Sequence, residues 1–297
     1  MRVLDYLIPL LLLSACSPTS STSAVTTASD SISTTTVPSP SGDVAQVMQV
    51  FDGDSLVTRL ESGPEIEVRL LGINAPEGSE CFGDEARDML QSLLGSGSVT
   101  LVTDSQDTDQ FERNLRYVYV DGTNINLEMI KTGNALALQT DHSLNDEFTD
   151  AGDGAAADLL GMWAPDACGG ETPPPSVVIV DYVFDPRGRD AENLNAEWVA
   201  IANLGTDPVD MTGWVLRDES TQNRFGFPPD FSLSPGKEVL VRSGCGDASD
   251  TDLFWCARDP VWSNGGDTMI LQSSEGSVVA RESYTAISAA TYYPFNG

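Results

Sequence analysis

The side chains able to do chemistry are few. The chain holds one histidine, His142, and five cysteines, Cys16, Cys81, Cys168, Cys245 and Cys256. Zinc sites draw on clustered cysteine and histidine. With no Cys-x-x-Cys and a lone histidine, zinc is not expected, and His142 reads as a surface residue. In the first half, Asp52-Gly53-Asp54 falls between two apolar runs, Arg69 lies inside the run 66–73, and Glu77 follows Pro76. Singly these read as a hairpin turn, half of an ion pair and a loop carboxylate. Together they offer oxygen donors for a cation, a guanidinium for an anion and a carboxylate to handle a proton. The second half shows no catalytic triad, phosphate loop or dense metal cluster.

Periodicity supplies the elements that must position them. Residues 44–60 carry two strand-like runs around the Asp52–Asp54 turn, and 66–73 reads as a third strand. From Gly83 to Gly95 the period changes: Ala86, Met89, Leu90, Leu93 and Leu94 mark one face of a helix that Gly95 stops. Segments 98–103 and 115–120 alternate like strands, and 125–137 and 146–160 read as helices. From 176 onward, short apolar runs between turn signals suggest a β-sandwich of about 120 residues.

The N-terminal segment carries an address. An apolar run of about ten residues is too short to span a bilayer and fits a signal-peptide core. Its end, Leu13-Ser14-Ala15-Cys16, looks like a bacterial lipobox in which Cys16 is lipidated and anchors the chain to the membrane. An ordinary secretory signal cut near Ala15 is the alternative. Either reading exports the protein to an extracytoplasmic site. Residues 1–15 are then signal, and the Ser/Thr-rich 16–43 a disordered tether. Folded units are expected at 44–168 and 176–297, joined by the Gly/Pro linker 169–175. The four remaining cysteines allow three disulfide pairings. Cys81–Cys168 and Cys245–Cys256 are favoured because each keeps within one unit. Fifteen bases against forty-five acids leave a net charge of −30. That excludes a basic nucleic-acid coat protein and a polybasic lipid-binding patch.

Residues 44–165 resemble the staphylococcal-nuclease-like (thermonuclease) family. The resemblance rests on VFDGDSL, VRLLGINAPE, GDEA opening a helix, and DQFERNLRYVYVDGTNINLEMIKTGNA, in that order. It implies a mainly β fold: an OB-type five-stranded barrel with about three helices. It also implies cleavage of phosphodiester bonds in DNA and/or RNA. Such cleavage concentrates negative charge on phosphate oxygens, so it needs fixed cations and a group that orients or deprotonates water. The resemblance assigns one Ca²⁺ to Asp54, Asn74 and the carbonyl of Ala75, with Asp52 in support. It gives Glu77 the water, and Arg69 and Arg113 the phosphate. The family more often has Asp where Asn74 stands, so Ca²⁺ affinity should be lower. Phe111-Glu112-Arg113 replaces Tyr-Gly-Arg, and Glu112 is expected to neutralise part of the Arg113 clamp.

The second unit resembles the lamin-tail domain, an immunoglobulin-like β-sandwich, through Asn195, Glu197 to Ile201, Asn203-Leu204-Gly205, Gly213 to Leu216, Phe225 to Pro228 and Trp262 to Asp267. Trp198, Trp214 and Phe227 are expected in its core. The reading is an exported, monomeric Ca²⁺-dependent nuclease whose lamin-tail module docks to an unknown surface or protein. A catalytically weak or inactive surface binding protein is the alternative, and a structural envelope lipoprotein a third. Across 44–168, six bases face twenty-three acids, a balance of −17, so cleavage is expected to tolerate or benefit from moderate salt.

Overall fold

The computed structural model describes residues 40–61, 63–169, 176–220 and 222–285. The expected signal segment with Cys16, nearly all of the expected tether and the triple proline lie outside the described residues. In the first half, strands β1 (Asp43–Val50), β2 (Ser55–Leu60) and β3 (Glu65–Leu70) form a meander. The expected third strand breaks at Gly72, whose φ of 77° only glycine adopts freely, and resumes as β4 (Ile73–Asn74). Helix α1 (Gly83–Leu94) buries Ala86, Leu90 and Leu94, the face set by its period. Strands β5 (Ser98–Val102) and β6 (Asn114–Val120) follow. The sheet order β3-β2-β1-β5-β6 closes on itself because β3 also pairs with β6, in parallel, giving the five-stranded barrel. The short strand β7 (Thr123–Asn124) extends it.

Helix α2 covers only Ile125–Lys131, shorter than the periodicity suggests. Gly133 follows at φ 70°, and a Cβ there would lie 2.1 Å from the Leu160 carbonyl oxygen. The backbone turns at this close approach, and β8 (Leu136–Ala137) pairs with β4. Helix α3 (Asn145–Ala157) completes this half. The expectation for His142 is overturned. It is buried at the barrel end, its Nδ1 2.8 Å from the Tyr117 hydroxyl and its ring against Phe148. Burial lowers its pKa, so it packs as a neutral imidazole.

The second half is the expected sandwich. Strands β9 (Val177–Val183), β10 (Trp198–Asn203), β11 (Val209–Asp210), β12 (Val215–Arg217), β13 (Arg224–Gly226), β14 (Ser232–Leu233), β15 (Glu238–Arg242), β16 (Asp252–Phe254), β17 (Gly266–Gln272) and β18 (Val278–Thr285) build it. Two four-stranded sheets, β16-β15-β10-β9 and β13-β12-β17-β18, face each other. Trp214, Phe227 and Trp262 fill the core with Val199, Ile201 and Leu271. Trp198 is half-buried instead, because the alternation that turns Val199 and Ile201 inward turns Trp198 outward. Disulfides join Cys81 to Cys168 and Cys245 to Cys256, the favoured pairings.

Barrel and sandwich pack directly on each other. Leu136, Met162 and Trp163 of the first half bury against Ile270 of the second. Arg281 pairs with Asp153 and lies 5.3 Å over the Trp163 ring, and Arg224 pairs with Glu80.

Candidate active site

Strand register brings the site together. Antiparallel pairing sets Ser55 opposite Arg69, so the Asp54 that precedes β2 meets the Arg69 side chain. Parallel pairing sets Arg69 beside Leu115, two residues beyond Arg113. Pairing of β4 with β8 holds Asn74 opposite Leu136. Asp54 is buried; one carboxylate oxygen accepts from the Ala75 amide at 2.6 Å and meets the Arg69 guanidinium at 2.9 Å, and the other accepts from Ser55 Oγ at 3.0 Å. Burial dominates its titration and, with Asp52 adding to it, pushes the carboxyl up to about 7 despite Arg69. Asp52 in turn accepts from the Asp54 amide at 2.9 Å.

Arg69 is heavily engaged. It donates to the carbonyls of Leu70 and Ile73 at 3.0 and 2.8 Å and to Asn74 Oδ1 at 3.1 Å. The plain reading of Arg69, an ion pair with a neighbouring acid, therefore describes the structure, and the acid is Asp54. Glu77 is exposed on the loop before α1. Partial burial raises its pKa, Asp52 and Glu80 add to the rise, and Arg69 and Arg113 oppose it, so all four groups lie within electrostatic reach. Direct contacts thus join Asp52, Asp54, Arg69, Asn74 and Ala75, while Glu77 and Arg113 are linked to this cluster through their electrostatics.

Arg113 departs from expectation. Its partner is Asp109, not Glu112: Nε donates to Asp109 Oδ2 at 2.7 Å, and the guanidinium lies 5.5 Å from the exposed Phe111 ring. Asp109 also caps the turn, accepting from the amides of Phe111 and Arg113. Glu112 sits at φ 65°, the left-handed conformation that suits the glycine it replaces. The two Nη groups of Arg113 have no hydrogen-bond partner among the described residues.

The donor set fits a hard cation in type. A carboxylate, an amide oxygen and a main-chain carbonyl are the hard oxygens Ca²⁺ prefers. Of the two acids only Asp54 pairs with Arg69, so Asp52 leaves local negative charge that favours a cation. Two features weaken it. Asn74 Oδ1 is turned to Arg69, and no group of three His, Cys, Asp or Glu side chains suited to a metal gathers among the described residues.

A groove of about 620 Å³ opens from Arg69 and Arg113 toward Asp218, Ser220 and Ser263 of the sandwich. Asn74 Nδ2 donates to the Glu219 carbonyl at 2.9 Å, and the Gln139 amide donates to the Glu219 carboxylate at 2.6 Å. The sequence reading missed both Asp109 and Glu219. Asp109 was visible as an acid four residues before Arg113, whereas Glu219 lies 145 residues from Asn74 and left no signal.

Each half of the chain is similar to a known family. Residues 67–165 match the family model described as staphylococcal nuclease homologue, and residues 171–286 match the Lamin Tail Domain. An endonuclease of Haemophilus influenzae, named as uncharacterized, is 34% identical over 122 residues, covering 41% of this chain and 67% of that protein. The chain belongs to the staphylococcal nuclease homologue family. A thermonuclease of Staphylococcus hyicus is 30% identical over 98 residues, 31% of this chain and 57% of that protein. An uncharacterized endonuclease of Escherichia coli is 34% identical over 91 residues, 30% of this chain and 58% of that protein. The matches to the last two span less than two thirds of their length. In this chain the nuclease-homologue half is followed by a lamin-tail half.

Proposed function

We propose that the protein is an exported, Cys16-anchored nuclease that hydrolyses phosphodiester bonds of DNA and RNA with Ca²⁺. The observation that carries this reading is that Arg69 and Arg113 line an open groove, with Glu77 within electrostatic reach of both and Asp54 paired to Arg69. Arg113 presents its Nη groups to a phosphate, and a planar guanidinium meets two phosphate oxygens at once. Arg69 adds a second positive charge held in place by four acceptors, so little reorganisation is needed as charge builds on the phosphate. Glu77, with its carboxyl raised and both arginines in reach, orients an attacking water and takes its proton. Asp54, the Ala75 carbonyl and, weakly, Asn74 would hold Ca²⁺, which would supply Lewis-acid stabilisation of the phosphate oxygens. The disulfides support an extracytoplasmic setting.

The test is cleavage of single-stranded DNA and RNA with Ca²⁺ or EDTA, at low and molar salt, beside Glu77→Gln. Ca²⁺-dependent cleavage that falls at least about a hundredfold in Glu77→Gln is the expected result. Cleavage that persists in EDTA removes the Ca²⁺ assignment. Absence of cleavage by a folded chain leaves the surface binding protein.

A further inference from the structure

The loop that carries Glu77 is short and held from several sides. The Glu80 amide donates to the Glu77 carbonyl at 2.8 Å. Gly83 opens α1 where a Cβ would lie 2.0 Å from that same carbonyl oxygen, so helix and loop are in contact. Cys81 is tied to Cys168. The remaining holds come from the lamin-tail half. Arg224 pairs with Glu80 Oε1, and the other oxygen of that carboxylate, Oε2, accepts the Glu77 amide at 3.2 Å. The Glu80 carboxylate thus bridges a lamin-tail guanidinium and the backbone of Glu77. Beside it, Gly276 sits where a Cβ would be 3.0 Å from Cys81 Cβ. On the other side, the Glu219 carbonyl holds the Asn74 amide.

Arg217 shapes this second contact. Its buried guanidinium donates to the carbonyls of Asp218 and Ser220, fixing the turn that presents Glu219. A cavity of about 220 Å³ separates the two sets of contacts, with Asn74, Ala75 and Glu80 on one wall and Arg217 and Arg224 on the other. The sandwich therefore grips segment 74–81 at both ends.

We propose that the lamin-tail half is a working part of the nuclease site, in which Arg224, acting through Glu80, is the positioning residue for Glu77. This rests on the nuclease reading above. The physical basis is that a group that must meet an attacking water is effective only within a narrow range of positions, and an exposed loop does not hold that range by itself. An ion pair that fixes the carboxylate on the Glu77 amide narrows it. It also explains why a module without catalytic residues of its own packs against the catalytic half.

The full chain tests this with two readouts: kcat and KM on single-stranded DNA, and hydrogen–deuterium exchange at the Glu77 amide. In Arg224→Ala, kcat should fall about tenfold with KM within about twofold, as for loss of a supporting contact. The Glu77 amide should exchange about tenfold faster as its acceptor is freed. Arg224→Lys, which keeps a cation against Glu80, should recover kcat to within about threefold of the parent. Glu80→Ala reaches the same contact from the barrel side, and Arg224→Ala/Glu80→Ala should be no worse than either single change. Arg281→Ala breaks a different contact between the halves, with Asp153, and should leave both readouts at the parent values.

Unchanged Glu77 exchange and kcat in both Arg224→Ala and Glu80→Ala would overturn the proposal. So would an equal loss in Arg281→Ala, which would reduce Arg224 to general docking of the two halves. A parent chain that cleaves nothing removes the nuclease reading, and the exchange arm then decides alone whether Arg224 holds Glu77.

Discussion

Each half of the molecule buries a carboxylate, and the two are used differently. Asp54 in the barrel and Glu197 in the sandwich are 5% and 0% exposed, and burial raises the pKa of both. The oxygens of Glu197 accept from the amides of Val261 and Trp262 at 3.1 and 2.7 Å. Those amides sit in a long connection before β17, so Glu197 pins backbone to the core where no strand can pair with it. Asp54 also accepts a backbone amide and the Ser55 hydroxyl, but its charged partner is a guanidinium shared with Asn74, beside the groove. Burial and a raised pKa are common to both. What separates a site from a staple is whether the partners lead onward to a cleft or end in the backbone.

Three experiments press on that contrast. The largest effect is expected for Arg69→Ala. It removes a phosphate-facing charge and leaves Asp54 buried beside Asp52, so kcat/KM should fall by about two to three orders of magnitude. A variant that keeps activity within a few-fold would make Asp54–Arg69 a staple like Glu197. Next, Glu197→Ala strips the acceptor from two buried amides and should lower unfolding stability by about 2–4 kcal/mol in denaturant titration. Activity of the remaining folded protein should stay at the parent level. If activity falls in step with an unchanged stability, Glu197 is no mere staple.

The third effect is smaller and lies where the halves meet. Burial and the neighbouring Asp218 push Asp267 up to about 7, and Glu219 beside it is raised well above the ordinary carboxylate range. One Glu219 oxygen is buried with no hydrogen-bond partner among the described residues, which adds to the cost of its charge. Because the folded state holds the Asp267 proton more tightly than the unfolded chain, its stabilisation is complete below about pH 4 and is lost as pH rises through about 7, and Glu219 acts in the same direction. The melting temperature should therefore be higher at pH 5 than at pH 8, by the equivalent of about 1–3 kcal/mol. Asp104, held down to about 2 by the Ser143 amide and Tyr117 hydroxyl, opposes this only in stronger acid. A melting temperature that is flat across this range, or higher at pH 8, would mean these carboxyls stay ionised in the folded state.

Much of the architecture was legible in residue order. The α1 face, the Asp52–Asp54 turn between two strands, both disulfide pairings and the sandwich runs are local or composition-driven features. Local reasoning misled in several places. The 125–137 period continues past the point where the Leu160 carbonyl forces the turn at Gly133. A lone histidine has no period to betray its burial, and His142 is inside because the chain after β8 closes the barrel end over Tyr117 and Phe148. Adjacency suggested Glu112 for Arg113, whereas the turn aims Asp109 at it.

By itself the sequence determined the two fold types, the family motifs and the identity of each residue at the site, because hydrophobic period, turn chemistry and motif spacing act over a few residues. Tertiary structure decided which partners those residues have. Asn74 faces Arg69 and Glu219, Glu80 bridges Arg224 to Glu77, and the lamin-tail half forms a wall of the groove. The Asn74–Glu219 and Glu80–Arg224 contacts join residues 145 and 144 positions apart. Packing of one half on the other sets such distances, and neither half carries a local trace of it.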